Sequence, residues 1–149
     1  MKASLFLALL SAFLVAADKP KDAGGQDRQK LQGTWQFVQE LHGDSDTSDE
    51  GKHCQFIFDG DKFTVKKDDK EILSGIFTID AAKSPAQIDL KILKDDEEQR
   101  NGQTSLGIYQ LDGDKLKVCA CEPSRDQRPG EFATKGTDLL MVVMERVKK

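Results

Sequence analysis

The sequence predicts an all-β protein, an eight-stranded antiparallel up-and-down barrel. Three observations carry this prediction. Short segments from residue 32 onward alternate apolar and polar side chains with the period of two that half-buried strands have. Short polar turns join these segments, and none of the connections has the apolar spacing of a helix. Eight antiparallel strands with one wet face can remove their exposed edges by closing into a barrel.

Eight segments fit the strand pattern, and turn-forming residues separate them. They span residues 32–41, 53–59, 63–67, 71–79, 87–94, 104–111, 115–121 and 138–147. In the first segment, Trp35, Phe37 and Leu41 share one face, and Gln36 and Glu40 share the other. The apolar face of each strand is predicted to point into the barrel.

The turns favour pairing between strands that follow each other along the chain. Asp59-Gly60 and Asp112-Gly113 are strong hairpin signals, because type I′ turns need positive φ at both central positions. Asp68-Asp69-Lys70 and Asn101-Gly102 supply further polar turns. The competing architecture, a two-sheet sandwich with Greek-key topology, usually needs longer crossovers than these. Consecutive hairpins therefore predict a meander that closes on itself.

The first residues predict export. Residues 1–17 combine the positive charge of Lys2, an apolar stretch too short to span a membrane, and the small residues Val15-Ala16-Ala17 of a cleavage site. Residues 18–29 are predicted to be a flexible linker, with one helical turn over residues 27–31 capped by Asp27. The barrel domain then covers residues 30–149. We expect a periplasmic or extracellular protein with no stable membrane span after cleavage; an uncleaved anchor is the alternative.

Charge argues against nucleic acid as a partner. The chain carries 22 Lys and Arg against 26 Asp and Glu, a formal net charge of -4. Removal of residues 1–17 takes away Lys2 and no acidic residue, which changes this charge from -4 to -5. The lysines are scattered along the strands instead of forming one basic face, and an acidic body repels phosphate backbones.

No motif predicts catalysis or a metal site. His42 and His53, the two histidines, belong to no recognisable triad or nucleophile motif and are predicted to be surface residues. The acidic loop 44–51 lacks the glycine, glutamate and flanking helices of an EF-hand, so it is interpreted as solvated, with a weak calcium site as the alternative. The charged cluster 94–100 is interpreted as a solvated hairpin tip. We expect no enzyme activity and no cofactor.

The three cysteines predict free thiols. Cys119 and Cys121 stand two apart on one strand, at about 6.6 Å between Cα atoms, so a bond between them would need a bulge. Cys54 could bridge to either only if the second strand meets the seventh across a barrel end. A zinc site formed by Cys54, Cys119, Cys121 and His53 would lack the Cys-x-x-Cys spacing that is typical of such sites. We expect Cys119 and Cys121 to lie outward or beneath the loop that joins the last two strands.

Five motifs, in order from about residue 30 to the end, resemble one family. They are Leu31-Gln32-Gly33-Thr34-Trp35, Phe58-Asp59-Gly60-Asp61, the run from Gly107 to Cys119, Arg128-Pro129-Gly130-Glu131-Phe132, and Glu145-Arg146-Val147. The chain is similar to the lipocalin-like paralogous domain family that is expanded in planctomycete bacteria. The resemblance implies an exported lipocalin-type barrel and supplies no ligand. It also implies that Gly33, Trp35 and Arg146 close one barrel end, with the guanidinium over the indole face.

The remaining aromatic residues allow two interpretations. The candidate cavity-lining residues are Phe37, Phe56, Phe58, Phe63, Phe77 and Tyr109. They either fill the barrel as a packed core or line an apolar cavity that opens at the end away from Trp35. In the loop 121–138, Phe132 is predicted to pack on the barrel while Arg128 pairs with a carboxylate; a partner-recognition loop is the alternative.

Two functions follow from these interpretations. The first is an exported barrel that binds a small apolar or amphipathic ligand inside. The second is a protein-interaction or inhibitor module with a filled barrel, in which the loops 41–52 and 121–138 engage an envelope protein. A void lined by the aromatic residues would favour the first. A solid core with an apolar loop surface would favour the second.

Overall fold

The computed structural model describes residues 23–148, so the predicted signal peptide and the start of the predicted linker lie outside the described residues. Nine strands and two helices occur in this part of the chain. In order they are α1 Ala23–Leu31, β1 Gly33–His42, β2 Ser45–Asp46, α2 Ser48–Gly51, β3 Cys54–Asp59, β4 Lys62–Lys67, β5 Lys70–Asp80, β6 Ala86–Asp95, β7 Thr104–Asp112, β8 Lys115–Ala120 and β9 Leu140–Arg146. Neither helix is long and apolar enough to cross a membrane.

Eight of these strands form a closed antiparallel barrel. The hydrogen-bonded order is β1-β3-β4-β5-β6-β7-β8-β9, and β9 pairs back with β1 from Trp35 opposite Arg146 to His42 opposite Leu140. The predicted eight-stranded up-and-down barrel is confirmed, and each long strand overlaps a predicted segment. The additional β2 is a two-residue extension beside the end of β1.

The hairpins form at the predicted turns. Gly60 and Gly113 have φ of 64° and 60°, the positive values that their tight turns require. Asp68 and Asp69 also have positive φ, 49° and 65°, between β4 and β5. Each hairpin joins neighbouring strands of the sheet, which produces the meander.

The helix α1 differs from the prediction. It begins at Ala23, so Asp27 lies inside it instead of capping it, and residues 23–29 of the predicted linker are helical. The sequence of α1 is mostly polar, and its apolar spacing does not predict a helix. Contacts with the barrel stabilise it: Leu31 is fully buried, and the Arg28 guanidinium lies 4.9 Å from the centre of the Phe77 ring. The short α2 likewise replaces part of the predicted acidic loop.

Three β-bulges interrupt the regular pairing of the barrel strands, one in β1, one in β5 with Ile72 as the extra residue, and one in β6. In β1 the extra residue is Val38, because Phe37 pairs with Met144 while Gln39 pairs with the adjacent Val143. After this bulge the alternation reverses. The predicted faces of Leu41 and Glu40 are therefore wrong: the inner face beyond the bulge belongs to Glu40, which lines the barrel interior.

The bulge in β6 has a similar effect. Ser74 and Gly75 are adjacent on β5, but they pair with Lys94 and Ile92, which leaves Leu93 as the extra residue. Leu93 is exposed, and Asp95, at the end of the strand, is buried. The prediction of a fully solvated cluster over residues 94–100 is wrong at Asp95 for this reason.

Aromatic side chains fill the half of the barrel next to α1. The Phe56 ring lies 4.7 Å from Phe58 and 5.4 Å from Phe63, and the Phe58 ring lies 4.8 Å from Phe77 in an edge-to-face arrangement. Such arrangements contribute more than area burial alone. Phe58, Phe63 and Phe77 are all at most 2% exposed. The aromatic core therefore occupies this half of the barrel, and the other half contains a cavity.

Candidate functional site: a cavity in the open half of the barrel

The closed end of the barrel fixes which end is open. Trp35 is fully buried, and the Arg146 guanidinium lies 4.3 Å from the centre of its ring. The indole Nε1 donates a hydrogen bond of 2.8 Å to the backbone carbonyl of Leu31. The structure thus places the residues of the implied closing pair in contact, beneath the last turn of α1.

Arg146 also holds the chain that leaves α1. Its guanidinium donates to the carbonyls of Lys30 and Gln32, the latter at 2.9 Å, and lies 3.3 Å from the carboxylate of Asp114. Gly33 has φ of 113°, a conformation that favours glycine, next to this guanidinium. A positive side chain at the end of a helix also interacts favourably with the helix dipole.

A cavity of about 250 Å³ occupies the barrel half away from Trp35. Its walls are mainly apolar and come from all eight barrel strands and from the segment after β8. The lining residues are Phe37, Glu40, Cys54, Phe56, Val65, Ile72, Leu73, Leu90, Ile92, Arg100, Ser105, Val118, Ala120, Cys121, Glu122, Pro123, Leu140, Val142 and Met144. The cavity lies just below the range of about 300–1,000 Å³ that is usual for sites of drug-sized ligands.

The six candidate lining residues lie in different parts of the barrel. Phe37 and Phe56 line the cavity. Phe58, Phe63 and Phe77 belong to the packed half, where Arg28 of α1 lies over the Phe77 ring. Their assignment as cavity lining is corrected, because α1 adds a cover to this end that the sequence pattern does not predict.

Tyr109 is also not a lining residue of this cavity. It is 2% exposed, and its hydroxyl donates a hydrogen bond of 2.6 Å to the carboxylate of Asp27 on α1. Burial raises the pKa of Tyr109 far above its ordinary value, and the bond to Asp27 raises it further. The tyrosine therefore fastens α1 to β7 at the closed end.

Charged side chains lie at the mouth of the cavity. Glu40 comes from β1 beyond its bulge, Arg100 from the β6–β7 connection, and Glu122 from the segment after β8. Glu40 accepts a hydrogen bond of 2.6 Å from the Thr47 hydroxyl. Glu122 lies 3.3 Å from the Nε2 of His42. Apolar walls with a few polar groups at one end suit an amphipathic molecule.

Arg100 is held by a buried carboxylate. Its Nε and Nη2 donate to the two oxygens of Asp95 at 2.9 and 3.0 Å, and the backbone N–H of Arg100 donates to the same carboxylate. The side-chain bond from Arg100 holds the pKa of Asp95 well below its usual range. Asn101 accepts a hydrogen bond from the Asp95 backbone. The guanidinium is therefore fixed in orientation and largely neutralised.

Two thiols line the cavity without forming a disulfide. Cys54 is 8% exposed, and Cys121 donates a weak hydrogen bond to the Arg125 carbonyl at 3.3 Å. Burial raises the pKa of Cys54, and the nearby charge of Glu40 raises it further. The thiol of Cys54 is thus a poor nucleophile. Ser105 donates to the Cys121 carbonyl at 2.7 Å, so this rim segment is anchored to β7.

The loop 121–138 is fastened to the outside of the barrel. Arg128 lies 2.7 Å from the Asp89 carboxylate and donates to the Gly107 carbonyl at 2.8 Å. The half-buried Phe132 lies beside Lys117, at 5.5 Å from its Nζ to the ring centre. Cys119 is fully buried, within hydrogen-bond reach of the backbone of Ala133. This is the latch that the sequence predicts. Cys121, predicted to lie outward or beneath this loop, instead lines the cavity.

The histidines lie at the surface, each beside a different carboxylate. His42 pairs with Glu122, and His53 lies 3.1 Å from Asp68, with both imidazoles about half exposed. Within residues 23–148, no three His, Cys, Asp or Glu side chains are close enough to share a metal ion. In the acidic loop 44–51, the carboxylates of Asp44 and Asp46 accept hydrogen bonds from the backbone of Gly136 and Ser48, respectively.

Sequence reasoning missed four polar lining residues, Glu40, Arg100, Ser105 and Glu122. A signal for Glu40 is present in the sequence: the adjacent apolar pair Phe37-Val38 interrupts the alternation, as a bulge does. The adjacent apolar pair Ile92-Leu93 indicates the bulge in β6 in the same way. The inward position of Glu122 depends on how the segment after β8 leaves the barrel, and strand periodicity says nothing about such a segment.

No protein-family model matches the chain, and a search of curated proteins found no significant match.

Proposed function

We propose that this chain is a binding protein that holds one small apolar or amphipathic molecule in the open half of its barrel. The observation that carries the proposal is the cavity of about 250 Å³ between the aromatic packing and the charged mouth. A barrel of eight strands can be filled by its own side chains, and protein interiors are normally close-packed. Here the filling stops halfway along the barrel.

The size of the cavity limits the ligand. Since one water occupies about 30 Å³ of liquid, the cavity volume corresponds to about eight waters. A medium-length alkyl chain or a single ring system fits this volume. A large prosthetic group does not.

The apolar walls and the charged mouth determine the orientation of the bound ligand. Phe56, Val65, Leu90 and Ile92 offer apolar contact, whereas Glu40 and Arg100 lie at the opening. An apolar portion would enter first and leave a polar end at the mouth. None of these residues forms a nucleophile and base pair, so the arrangement supports binding instead of catalysis.

No observation favours the alternative of an interaction module. Among the described residues, the large apolar side chains that are exposed are Val38, Leu93, Leu140 and Val147. They lie outside the loops 41–52 and 121–138, which the alternative assigns to a partner. The cavity also differs from the filled barrel on which that alternative rests.

Export and membership of the planctomycete lipocalin-like family are part of the proposal. Their support is the signal pattern of residues 1–17 and the order of the five motifs. N-terminal sequencing of the mature protein should begin near Asp18. An intact Met1 in a cytosolic fraction would contradict export.

Binding is tested by titration with 1-octanol, followed by two-dimensional NMR. We expect saturable shifts at residues around the cavity, and loss of these shifts in Ala120→Leu, which fills the space. Ala82→Leu, on an exposed turn, is the matched control and should bind like the original chain. Equal binding by Ala120→Leu would refute the assigned site. Native mass spectrometry of protein from its own host would then identify the natural ligand.

A further inference from the structure

We propose that the natural ligand is an amphiphile with a cationic head, such as an alkyl ammonium, whose charge lies between Glu40 and Glu122. This inference rests on the proposed function, because it assigns the polar end of the molecule that the cavity holds. It follows from which charges at the mouth are already neutralised. The cavity-lining charged groups are Glu40, Arg100 and Glu122.

The charge of Arg100 is already paired with that of Asp95. Asp95 is buried, and its two oxygens accept both guanidinium bonds at about 3 Å. A bidentate pair of this kind brings a full negative charge against the positive one. An anionic head would therefore have to compete with a carboxylate that the fold itself supplies.

The two glutamates are balanced differently. Glu40 receives its bond from the Thr47 hydroxyl, which carries no charge. Glu122 lies 3.3 Å from the Nε2 of the surface residue His42 and, like Glu40, faces no guanidinium in a bidentate pair. The pair Arg100–Asp95 sums to zero, so the two glutamates supply the remaining charge of the cavity-lining side chains.

The neighbouring residues extend this negative field on the β1–β3 side. Glu40, Glu50 and Asp68 are close enough to act on the Cys54 thiol inside the cavity, opposed by Lys67. On the other side, Glu97 and Glu122 act on Arg100 together with Asp95. Apolar walls lower the local dielectric and strengthen the field at the opening. A cation is attracted there, and an anion meets repulsion.

Three probes with the same eight-carbon chain separate the head from the cavity. They are n-octylamine, 1-octanol and octanoate, measured by calorimetric titration at pH 7 and low salt. We expect octylammonium to bind about tenfold more tightly than octanoate, with octanol between them. Added salt should weaken octylammonium binding and leave octanol nearly unchanged.

Matched variants locate the head. Glu40→Gln and Glu122→Gln should each reduce octylammonium affinity about three- to tenfold and leave octanol affinity unchanged. Glu145→Gln, on the outer face of β9, makes the same change in net charge and should have no effect. Thermal melts of each variant establish that it folds, and Glu40→Asp provides a second test at the same site because it keeps the charge.

The outcomes distinguish the two proposals. If octanol binds but octanoate binds as tightly as octylammonium, or the glutamine variants do not weaken octylammonium, the cationic head is wrong and the cavity stands. If octanol fails to bind, the proposed function fails, and the head assignment fails with it.

Discussion

At the residue scale, Arg146 combines several roles in one side chain. It covers the Trp35 ring, donates to two backbone carbonyls at the C-terminal end of α1, and lies against Asp114. A guanidinium over an indole contributes about 0.5–2 kcal/mol, depending on desolvation. Since the same atoms also satisfy carbonyls at a helix end, the loss of either residue should affect the other.

The coupling between Trp35 and Arg146 can be measured. Trp35→Ala should cost about 3–5 kcal/mol of unfolding free energy, because it removes a large, fully buried side chain. Arg146→Ala should cost less. In a double-mutant cycle by urea unfolding, the two losses should be non-additive. Additive losses would mean that the ring and the guanidinium do not stabilise each other.

Asp95 makes the stability depend on pH. Its pKa is lowered in the folded protein by Arg100, so the carboxylate stabilises the fold above the unfolded-state pKa of about 4. That stabilisation is lost as the pH falls through the acidic range toward the folded-state pKa. Asp95→Asn should therefore be less stable than the original chain at pH 7, and the difference should shrink at about pH 3 and below.

The measurement for Asp95 is the urea midpoint at a series of pH values from 7 downward. Asp96→Asn, an exposed neighbour, should show a much smaller difference at every pH. A difference for Asp95→Asn that stays constant from pH 7 to the acid limit would contradict the linkage.

At the element scale, the β-bulges mark the limit of prediction from sequence. Period-two alternation and Asp-Gly turns predict the strands and their order, because both are local properties of the chain. A bulge depends on the partner strand, and one extra residue exchanges the two faces from that point on. This exchange explains why Trp35 and Phe37 were assigned correctly to the interior and Glu40 was not.

The sequence predicts only one helical turn of α1, over residues 27–31, for a different reason. Isolated helices of about nine residues are marginal, and most of their stability in proteins comes from tertiary contacts. Here the contacts are made by three residues of α1: Leu31 is buried against the barrel, Arg28 lies on Phe77, and Asp27 bonds to Tyr109. The barrel partners Phe77 and Tyr109 are distant in sequence, so the local pattern carries no trace of these contacts.

Gly75 on β5 allows β6 to approach closely beside the β6 bulge. A Cβ at this position would lie 1.9 Å from the carbonyl oxygen of Lys91. Gly75→Ala should therefore destabilise the protein by about 1–3 kcal/mol through overpacking. Gly130→Ala, where no atom lies within 4 Å, is the control and should change the urea midpoint little. If Gly75→Ala changed the urea midpoint as little as Gly130→Ala, β5 and β6 could separate without cost.

At the scale of the whole molecule, the barrel is stabilised without covalent links. Cys54, Cys119 and Cys121 are buried and free. Reducing agent should therefore leave the melting temperature nearly unchanged, and thiol titration of denatured protein should find three groups per chain. Loss of a native disulfide costs about 2–5 kcal/mol, so a fall of about 10 °C on reduction would show a bridge.

The closure of the barrel has a consequence for how the chain acquires its structure. Arg146 bonds to a carbonyl 114 positions earlier, and β9 is the last strand along the chain. Until β9 has left the ribosome, β1 and β8 each present an unpaired edge, and the aromatic half lacks the contacts that Arg146 supplies to the covering helix. Such long-range pairing slows folding and prolongs the time for which these edges stay unpaired. A truncation before residue 140 should consequently yield an open, self-associating sheet instead of a smaller version of the same protein.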